Sequence, residues 1–150
     1  MKLFVDSADL ADIETIASWG VLSGVTTNPT LLGKVEGEAD EIYRRVCELV
    51  DGPVSAEVVA ESRGDMVKEG RRLAAIHPNI VVKLPMGAEA LAATGALAEE
   101  DISVNMTLCF TAPQALLSAK AGATYISPFL GRLDDIAHVG MDLIRDICEI

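Results

Sequence analysis

The chain has 150 residues, half of them apolar, and a formal net charge of −11 at pH 7. This composition can bury a sizeable core, so we expect one domain over residues 1–150 and exclude disordered and fibrous classes. The acidic charge opposes binding to nucleic acid and to anionic membranes, and an anionic substrate would need a local cationic pocket.

Targeting and cysteine patterns favour a cytoplasmic location. No apolar run approaches the roughly 18 residues of a membrane span, and no apolar segment follows a basic start. Cys47, Cys109 and Cys148 are widely spaced among apolar residues, which is typical of small core side chains in a reducing compartment. No disulfide framework or zinc spacing is present.

In chain order, the first half alternates short strands with helices. A strand over 2–6 ends in Asp6, and Ser7 or Asp9 can cap the helix that follows. Strands over 24–28 and 54–59 come next, separated by a helical turn opened by Pro29 and by a helix with apolar residues at helical spacing.

The second half repeats this order. A fourth strand at 80–85 precedes an Ala- and Leu-rich helix, and a fifth strand covers 102–107. Thr111 and Gln114 form a capping-box pattern at the start of the next helix. A sixth strand at 124–128 and a final amphipathic helix complete the chain.

Regular strand-then-helix alternation leaves two main architectures, a doubly wound open sheet and a (β/α)8 TIM-barrel type. No glycine-rich dinucleotide or P-loop fingerprint follows any strand, which weakens the first. A barrel brings all strand ends to one mouth, and here nearly every strand ends in a polar residue. We therefore predict the α/β barrel type, with six of eight βα units present. The polar strand-end residues are Asp6, Asn28, Glu57, Lys83, Asn105, Thr107 and Ser127.

Lys83 is the unusual residue, because it lies within an apolar strand that is expected to be buried on both faces. Removal from water disfavours the charged ammonium, so a neutral amine that attacks a carbonyl becomes accessible. Alternatively, Lys83 closes the strand and reaches solvent over the end of the sheet.

Several ordered segments together resemble the transaldolases, specifically their small-subunit branch, and the resemblance runs along the whole chain. The segments are 24–29 (GVTTNP), 54–58 (VSAEV), 82–85 (VKLP), 105–108 (NMTL), 122–125 (GATY) and 127–132 (SPFLGR).

The resemblance implies a cofactor-free enzyme that moves a dihydroxyacetone unit from a ketose phosphate to an aldose phosphate through a Schiff base, in the pentose phosphate pathway. The implied donors are sedoheptulose 7-phosphate and fructose 6-phosphate, and the acceptors are glyceraldehyde 3-phosphate and erythrose 4-phosphate. Phosphorylated sugars and further copies of the chain are the implied partners. It assigns catalytic roles to Lys83, Asp6, Glu57 and Thr107, and substrate contacts to Asn28, Asn105, Ser127, Phe129 and Arg132.

Each role has a physical basis and a structural alternative. Lys83 forms the imine, Asp6 moves a proton, and Glu57 with Thr107 holds a water molecule. Asp6 and Asn28 could instead cap helices, and the other polar strand ends could be satisfied internally. Arg132 suits a bidentate grip on phosphate, or a surface ion pair with a neighbouring aspartate.

Two positions favour transfer over simple cleavage. Fructose 6-phosphate aldolases resemble this chain but usually have Gln in place of Glu57 and Tyr in place of Phe129. A tyrosine hydroxyl can protonate the enamine and release dihydroxyacetone, which Phe129 cannot do. Aldol cleavage of fructose 6-phosphate is the alternative function.

The chain departs from the family in having six βα units where eight are expected. Six strands do not close the usual barrel, so edges with unpaired backbone groups are expected. The sequence could be truncated, a second chain could complete the barrel, or the six units could form an open or associated sheet. The last two possibilities leave open a non-catalytic phosphosugar-binding or scaffold fragment.

Overall fold

A computed structural model describes residues 1–150 and contains six β-strands that alternate with helices. The strands are β1 (Leu3–Asp6), β2 (Leu22–Thr26), β3 (Val54–Glu57), β4 (Ile80–Pro85), β5 (Val104–Cys109) and β6 (Tyr125–Pro128). The helices are α1 (Leu10–Ala17), α2 (Pro29–Leu32), α3 (Ala39–Leu49), α4 (Arg63–Ala74), α5 (Ala88–Ala98), α6 (Ala112–Lys120), α7 (Leu130–Asp134) and α8 (Gly140–Glu149).

The order of the strands identifies the architecture. Neighbouring strands follow chain order, β1-β2-β3-β4-β5-β6, and the pairs β1–β2, β2–β3 and β5–β6 are parallel. A doubly wound sheet would reverse its order at a switch point, whereas a (β/α) barrel places each strand beside the next. The predicted α/β class of barrel type, with six βα units, is therefore confirmed.

The chain divides into two compact units. The first comprises Met1–Val59 and Lys68–Val82, and the second comprises Ala60–Val67 and Lys83–Ile150. Strand β4 thus contributes residues to both units.

The first unit has its core between β2, β3 and helices α1 and α3. Asp9 caps α1, because its carboxylate accepts hydrogen bonds from the backbone N–H groups of Ala11 and Asp12. Helix α3 buries one face, which comprises Ile42, Tyr43, Val46 and Cys47. This amphipathic pattern is the one that the sequence predicted.

The second unit has its core around β5 and the helices α5 and α6. Every residue of β5 except Leu108 is buried. The predicted capping box at the start of α6 is confirmed, since Thr111 Oγ1 accepts from the Gln114 N–H at 3.3 Å and Gln114 Oε1 accepts from the Thr111 N–H at 3.1 Å. This cap fixes the direction in which the chain leaves β5.

Several features differ from the sequence-based expectation, among them β2 and β3, which cover Leu22–Thr26 and Val54–Glu57 rather than 24–28 and 54–59. Helix α7 was not predicted, because its five residues carry too few turns for a periodic pattern. Strand β5 extends to Cys109 rather than ending at Thr107. Cys47 and Cys109 are buried as expected, but Cys148 is exposed on α8, so the core assignment of that thiol was wrong. None of the helices combines the length and the apolar character that crossing a membrane requires.

Candidate active site

Lys83 is buried in β4, with only 7 % of its surface exposed. Its neighbours along the strand, Ile80, Val81, Val82 and Leu84, are buried as well. The side chain does not extend into bulk solvent, so the solvent-reaching alternative is wrong. A primary amine is a group that can form a covalent imine with a carbonyl.

Strand β5 places two further predicted site residues in the interior of the second unit. Asn105 and Thr107 are both buried, and their spacing of two residues along a strand points both side chains to one face. Thr107 is 1 % exposed, and its hydroxyl has no hydrogen-bond partner in the chain. Because buried hydroxyls are normally paired, Thr107 Oγ1 is well suited to bind a substrate group or a water molecule.

Strand β6 brings Ser127 to Asn105. The Ser127 hydroxyl donates a hydrogen bond to Asn105 Oδ1 at 2.9 Å. This contact occupies the carbonyl oxygen of the amide and therefore leaves its NH₂ group directed elsewhere as a donor. The structure thus joins two residues that the sequence assigned to substrate binding.

Phe129 and Arg132 follow β6. Phe129 packs edge-on against Phe110, with ring centroids 5.7 Å apart and an interplanar angle of 64°. Arg132 is exposed on α7 and lines an open depression with Phe129 and Asp135. It forms no ion pair with Asp134 or Asp135, so the predicted alternative of a surface salt bridge is wrong. The guanidinium remains available for an anion.

Asp6 lies at the end of β1 in the first unit and is exposed. Its Oδ1 accepts a hydrogen bond of 2.8 Å from Thr26 Oγ1 on the neighbouring strand β2. Asp6 does not cap α1, a role that Asp9 fills. The Thr26 hydroxyl thereby fixes the orientation of the Asp6 carboxylate.

Asn28 and Glu57 are also in the first unit. Asn28 Oδ1 accepts from the Leu31 N–H at 2.9 Å and caps α2, so its helix-capping role is confirmed while its NH₂ group can still donate to a ligand. Glu57 is half-buried at the end of β3.

Tyr43 is a residue near these positions that sequence reasoning placed only in the core. Its hydroxyl forms hydrogen bonds with the Thr27 side chain and the Glu57 backbone, and burial raises its pKa. Thr27 Oγ1 in turn donates to the Ser55 carbonyl at 2.8 Å. Tyr43 therefore ties together the ends of β2 and β3, beside Asn28 and Glu57. The helical spacing of the apolar residues of α3 indicates that Tyr43 is buried, but no sequence signal shows where its hydroxyl points.

The candidate residues contain no metal-binding cluster, since no group of three or more His, Cys, Asp or Glu side chains is close enough to hold an ion. The chemistry that the side chains themselves offer is that of a buried amine, a carboxylate and neutral hydrogen-bonding groups. This set is typical of enzymes that form covalent imines.

The fold defines a (β/α)-barrel type of protein, and solved structures with low sequence identity share it. A crystal structure of pyruvate carboxylase from Rhizobium etli matches 99 % of this chain and 20 % of its own, with a TM-score of 0.64 and 18 % sequence identity. At that identity the likeness concerns the fold alone.

Sequence comparison gives the family. The family model described as transaldolase/fructose-6-phosphate aldolase matches residues 3–150, and the chain belongs to this family. It is 57 % identical over 150 residues to a "Probable transaldolase" from Myxococcus xanthus, covering all of this chain and 67 % of that protein. It is 58 % identical over 159 residues to a "Probable transaldolase" from Thermus thermophilus, covering all of this chain and 71 % of that one.

Proposed function

We propose that this chain has the activity of a transaldolase, which transfers a dihydroxyacetone unit from sedoheptulose 7-phosphate or fructose 6-phosphate to glyceraldehyde 3-phosphate or erythrose 4-phosphate. The observation that carries the proposal is the burial of Lys83 within β4. Family membership and the names of the relatives support the reaction class.

In the proposed reaction, the neutral Lys83 amine attacks the ketone carbon C2 of the donor, and loss of water gives a protonated imine. Asp6 takes the proton of the C4 hydroxyl as the C3–C4 bond breaks. The bonding electrons move into the imine, the aldehyde product departs, and an enamine remains on Lys83. The enamine then attacks the acceptor aldehyde, Asp6 returns its proton to the new hydroxyl, and water releases the product.

Two further groups handle water and protons at the imine. Thr107 has a buried hydroxyl without a partner, which supports a role in binding the water that leaves and later returns. Glu57 is proposed to share this water, and its backbone is held by Tyr43. Asn28, Asn105 and Ser127 are proposed to bind the hydroxyls of the sugar, because each can donate or accept hydrogen bonds.

Phosphate binding is proposed to depend on Arg132. The chain carries a formal charge of −11, so a phosphorylated substrate requires a local cation, and Arg132 is exposed without an ion-pair partner. Its planar guanidinium can hold two phosphate oxygens at once. We propose that the protein acts in the cytoplasm as a homo-oligomer.

A trapping experiment tests the proposal. The chain is incubated with fructose 6-phosphate, reduced with borohydride and weighed, and the modified peptide is then sequenced. An adduct on Lys83 supports the imine mechanism. A folded chain that acquires no adduct contradicts it and favours a non-catalytic phosphosugar-binding fragment.

The products separate transfer from cleavage. Erythrose 4-phosphate is added with fructose 6-phosphate, and sedoheptulose 7-phosphate is the expected product. The phenylalanine at residue 129 supports transfer, because a side chain without a hydroxyl cannot protonate the enamine. Free dihydroxyacetone without the seven-carbon sugar would identify the chain as a fructose 6-phosphate aldolase instead.

A further inference from the structure

Strand β5 has an irregularity where the candidate site residues lie. Met106 pairs with Ile126 and Cys109 pairs with Pro128 on β6. Between these pairs β5 contains Thr107 and Leu108, whereas β6 contains Ser127 alone. The extra residue makes a β-bulge, which is rare between parallel strands and is over-represented beside active sites.

The bulge depends on an unusual backbone conformation at Leu108. This residue has a φ of 57°, in the left-handed region that side chains with a Cβ avoid, and only two other non-glycine residues of the chain share that feature. Leu108 is 39 % exposed, so packing of its side chain offsets little of the strain. The conformation is therefore maintained by the hydrogen bonds on either side of it.

Those hydrogen bonds fix the residues around Leu108. The Thr107 carbonyl accepts from the Met86 N–H at 2.8 Å, and the Cys109 carbonyl accepts from the Phe129 N–H at 2.9 Å. Thr107 is thus held within β5, next to Leu108, with its hydroxyl buried and unpaired. Strained residues that the surroundings hold in place are typical of sites where a geometry is needed for function.

The bulge also shifts the register of the residues that follow it. Without the extra residue, Pro128 would lie opposite Leu108. The extra residue instead pairs Cys109 with Pro128, and Cys109 is fully buried. Phe110 meets the ring of Phe129 edge-on. One backbone conformation therefore sets the positions of a hydroxyl and of an aromatic pair.

We propose that Leu108 is a positioning residue whose left-handed backbone, rather than its side chain, aims the Thr107 hydroxyl at the imine formed on Lys83. The catalytic part of this inference rests on the proposed function. A residue that only packs would act through its side chain, so the two possibilities predict opposite rankings of substitutions.

The test is a series at Leu108 ranked by preference for a positive φ. Glycine and asparagine adopt the left-handed region readily, whereas valine is β-branched and rarely does. We expect Leu108→Gly and Leu108→Asn to keep kcat within about threefold of the parent chain, and Leu108→Val to lower kcat about tenfold with KM nearly unchanged. The rate of borohydride-trapped adduct formation on Lys83 should fall in parallel with kcat.

Leu3 provides a matched control, since it is 45 % exposed, lies in β1 and has no positive φ. The same substitutions there should rank oppositely in thermal stability, with valine best tolerated and glycine worst. At Leu108 the melting temperature should be lowest for valine.

Two results would overturn the inference: wild-type kcat in a folded Leu108→Val chain, or a loss of kcat in Leu108→Asn as large as that in Leu108→Val. If Leu108→Val does not fold, the kcat of Leu108→Asn decides. A loss of about tenfold in that variant would overturn the inference. A parent chain without adduct would contradict the proposed function and the catalytic part of this inference. The order of melting temperatures would then still test the backbone claim separately.

Discussion

Strands β1 and β4 are both short apolar runs that carry one residue of the proposed chemistry, yet their surroundings are opposite. In β4 the residues Ile80 to Leu84 are all buried, including Lys83. In β1 Leu3 and Phe4 remain exposed, and so does Asp6. In this chain β4 lies between β3 and β5, whereas β1 pairs with β2.

The two strands therefore hold their polar groups differently. Lys83 lies among the buried residues of β4, whereas the exposed Asp6 carboxylate accepts one hydrogen bond from Thr26 Oγ1. Apolar composition alone does not bury a strand.

Replacing the buried amine should have the largest effect. Lys83→Met should lower kcat by at least about a thousandfold, since no imine can form. The variant should fold at least as stably as the parent, because methionine avoids the cost of burying an amine. Steady-state kinetics and urea unfolding measure both. Lys68→Met, at an exposed lysine of α4, is the control and should keep full activity.

The exposed carboxylate should respond less. Asp6→Asn should lower kcat about a hundredfold, as expected for loss of a general base, and Thr26→Val should lower it only about threefold by freeing the carboxylate to rotate. Kinetics of transfer from fructose 6-phosphate to erythrose 4-phosphate measure this ranking. Asp12→Asn, at another exposed aspartate, should change little. Equal losses for Thr26→Val and Asp6→Asn would show that the hydrogen bond, not the proton, matters.

Substitution of Tyr43 tests whether its hydroxyl stabilises the ends of β2 and β3. Tyr43→Phe removes a buried hydroxyl that bonds Thr27 and the Glu57 backbone, so we expect a loss of about 1–3 kcal/mol in the free energy of unfolding. Urea denaturation of Tyr43→Phe, Thr27→Val and the double variant gives the coupling between the two side chains. Additive losses would argue against a shared network.

The smallest effect concerns the pH dependence of stability. Burial, aided by the charge of Glu48, raises the pKa of Cys47 from 9.0 to about 11. Because the folded value lies above the unfolded one, this contribution to stability is complete below pH 9 and is lost as the pH rises toward about 11. Urea unfolding across this range should show a shallower decline for Cys47→Ala than for the parent. Burial also raises the pKa of Cys109 and Tyr43, so some decline should persist.

Strand-helix alternation and the capping box at Thr111 could both be predicted from the sequence. Each depends on local chemistry or on a periodic pattern that survives without knowledge of neighbours. Helix α7 and the exposure of Cys148 could not be predicted in this way. Helix α7 is too short to show a helical periodicity of apolar residues. The exposure of Cys148 depends on which face of α8 is covered by other elements.

The site was predictable to a similar degree. The motifs led to Lys83, Asn105, Thr107 and Ser127, and the structure adds the bond between Ser127 and Asn105 and the unpaired Thr107 hydroxyl. It also adds Thr26 as the partner of Asp6 and Tyr43 as the support of Glu57. The catalytic and binding roles of these residues stay predictions.

The sequence by itself determined the order of strands and helices, the family and the chemical character of the site, because these depend on residue type and spacing. Only the tertiary structure decided that β1 is exposed while β4 is buried, and that β5 bulges at Leu108. The reason is that burial and register are properties of pairs of strands. They are set by which segments hydrogen-bond to each other, and a single strand does not encode its partner.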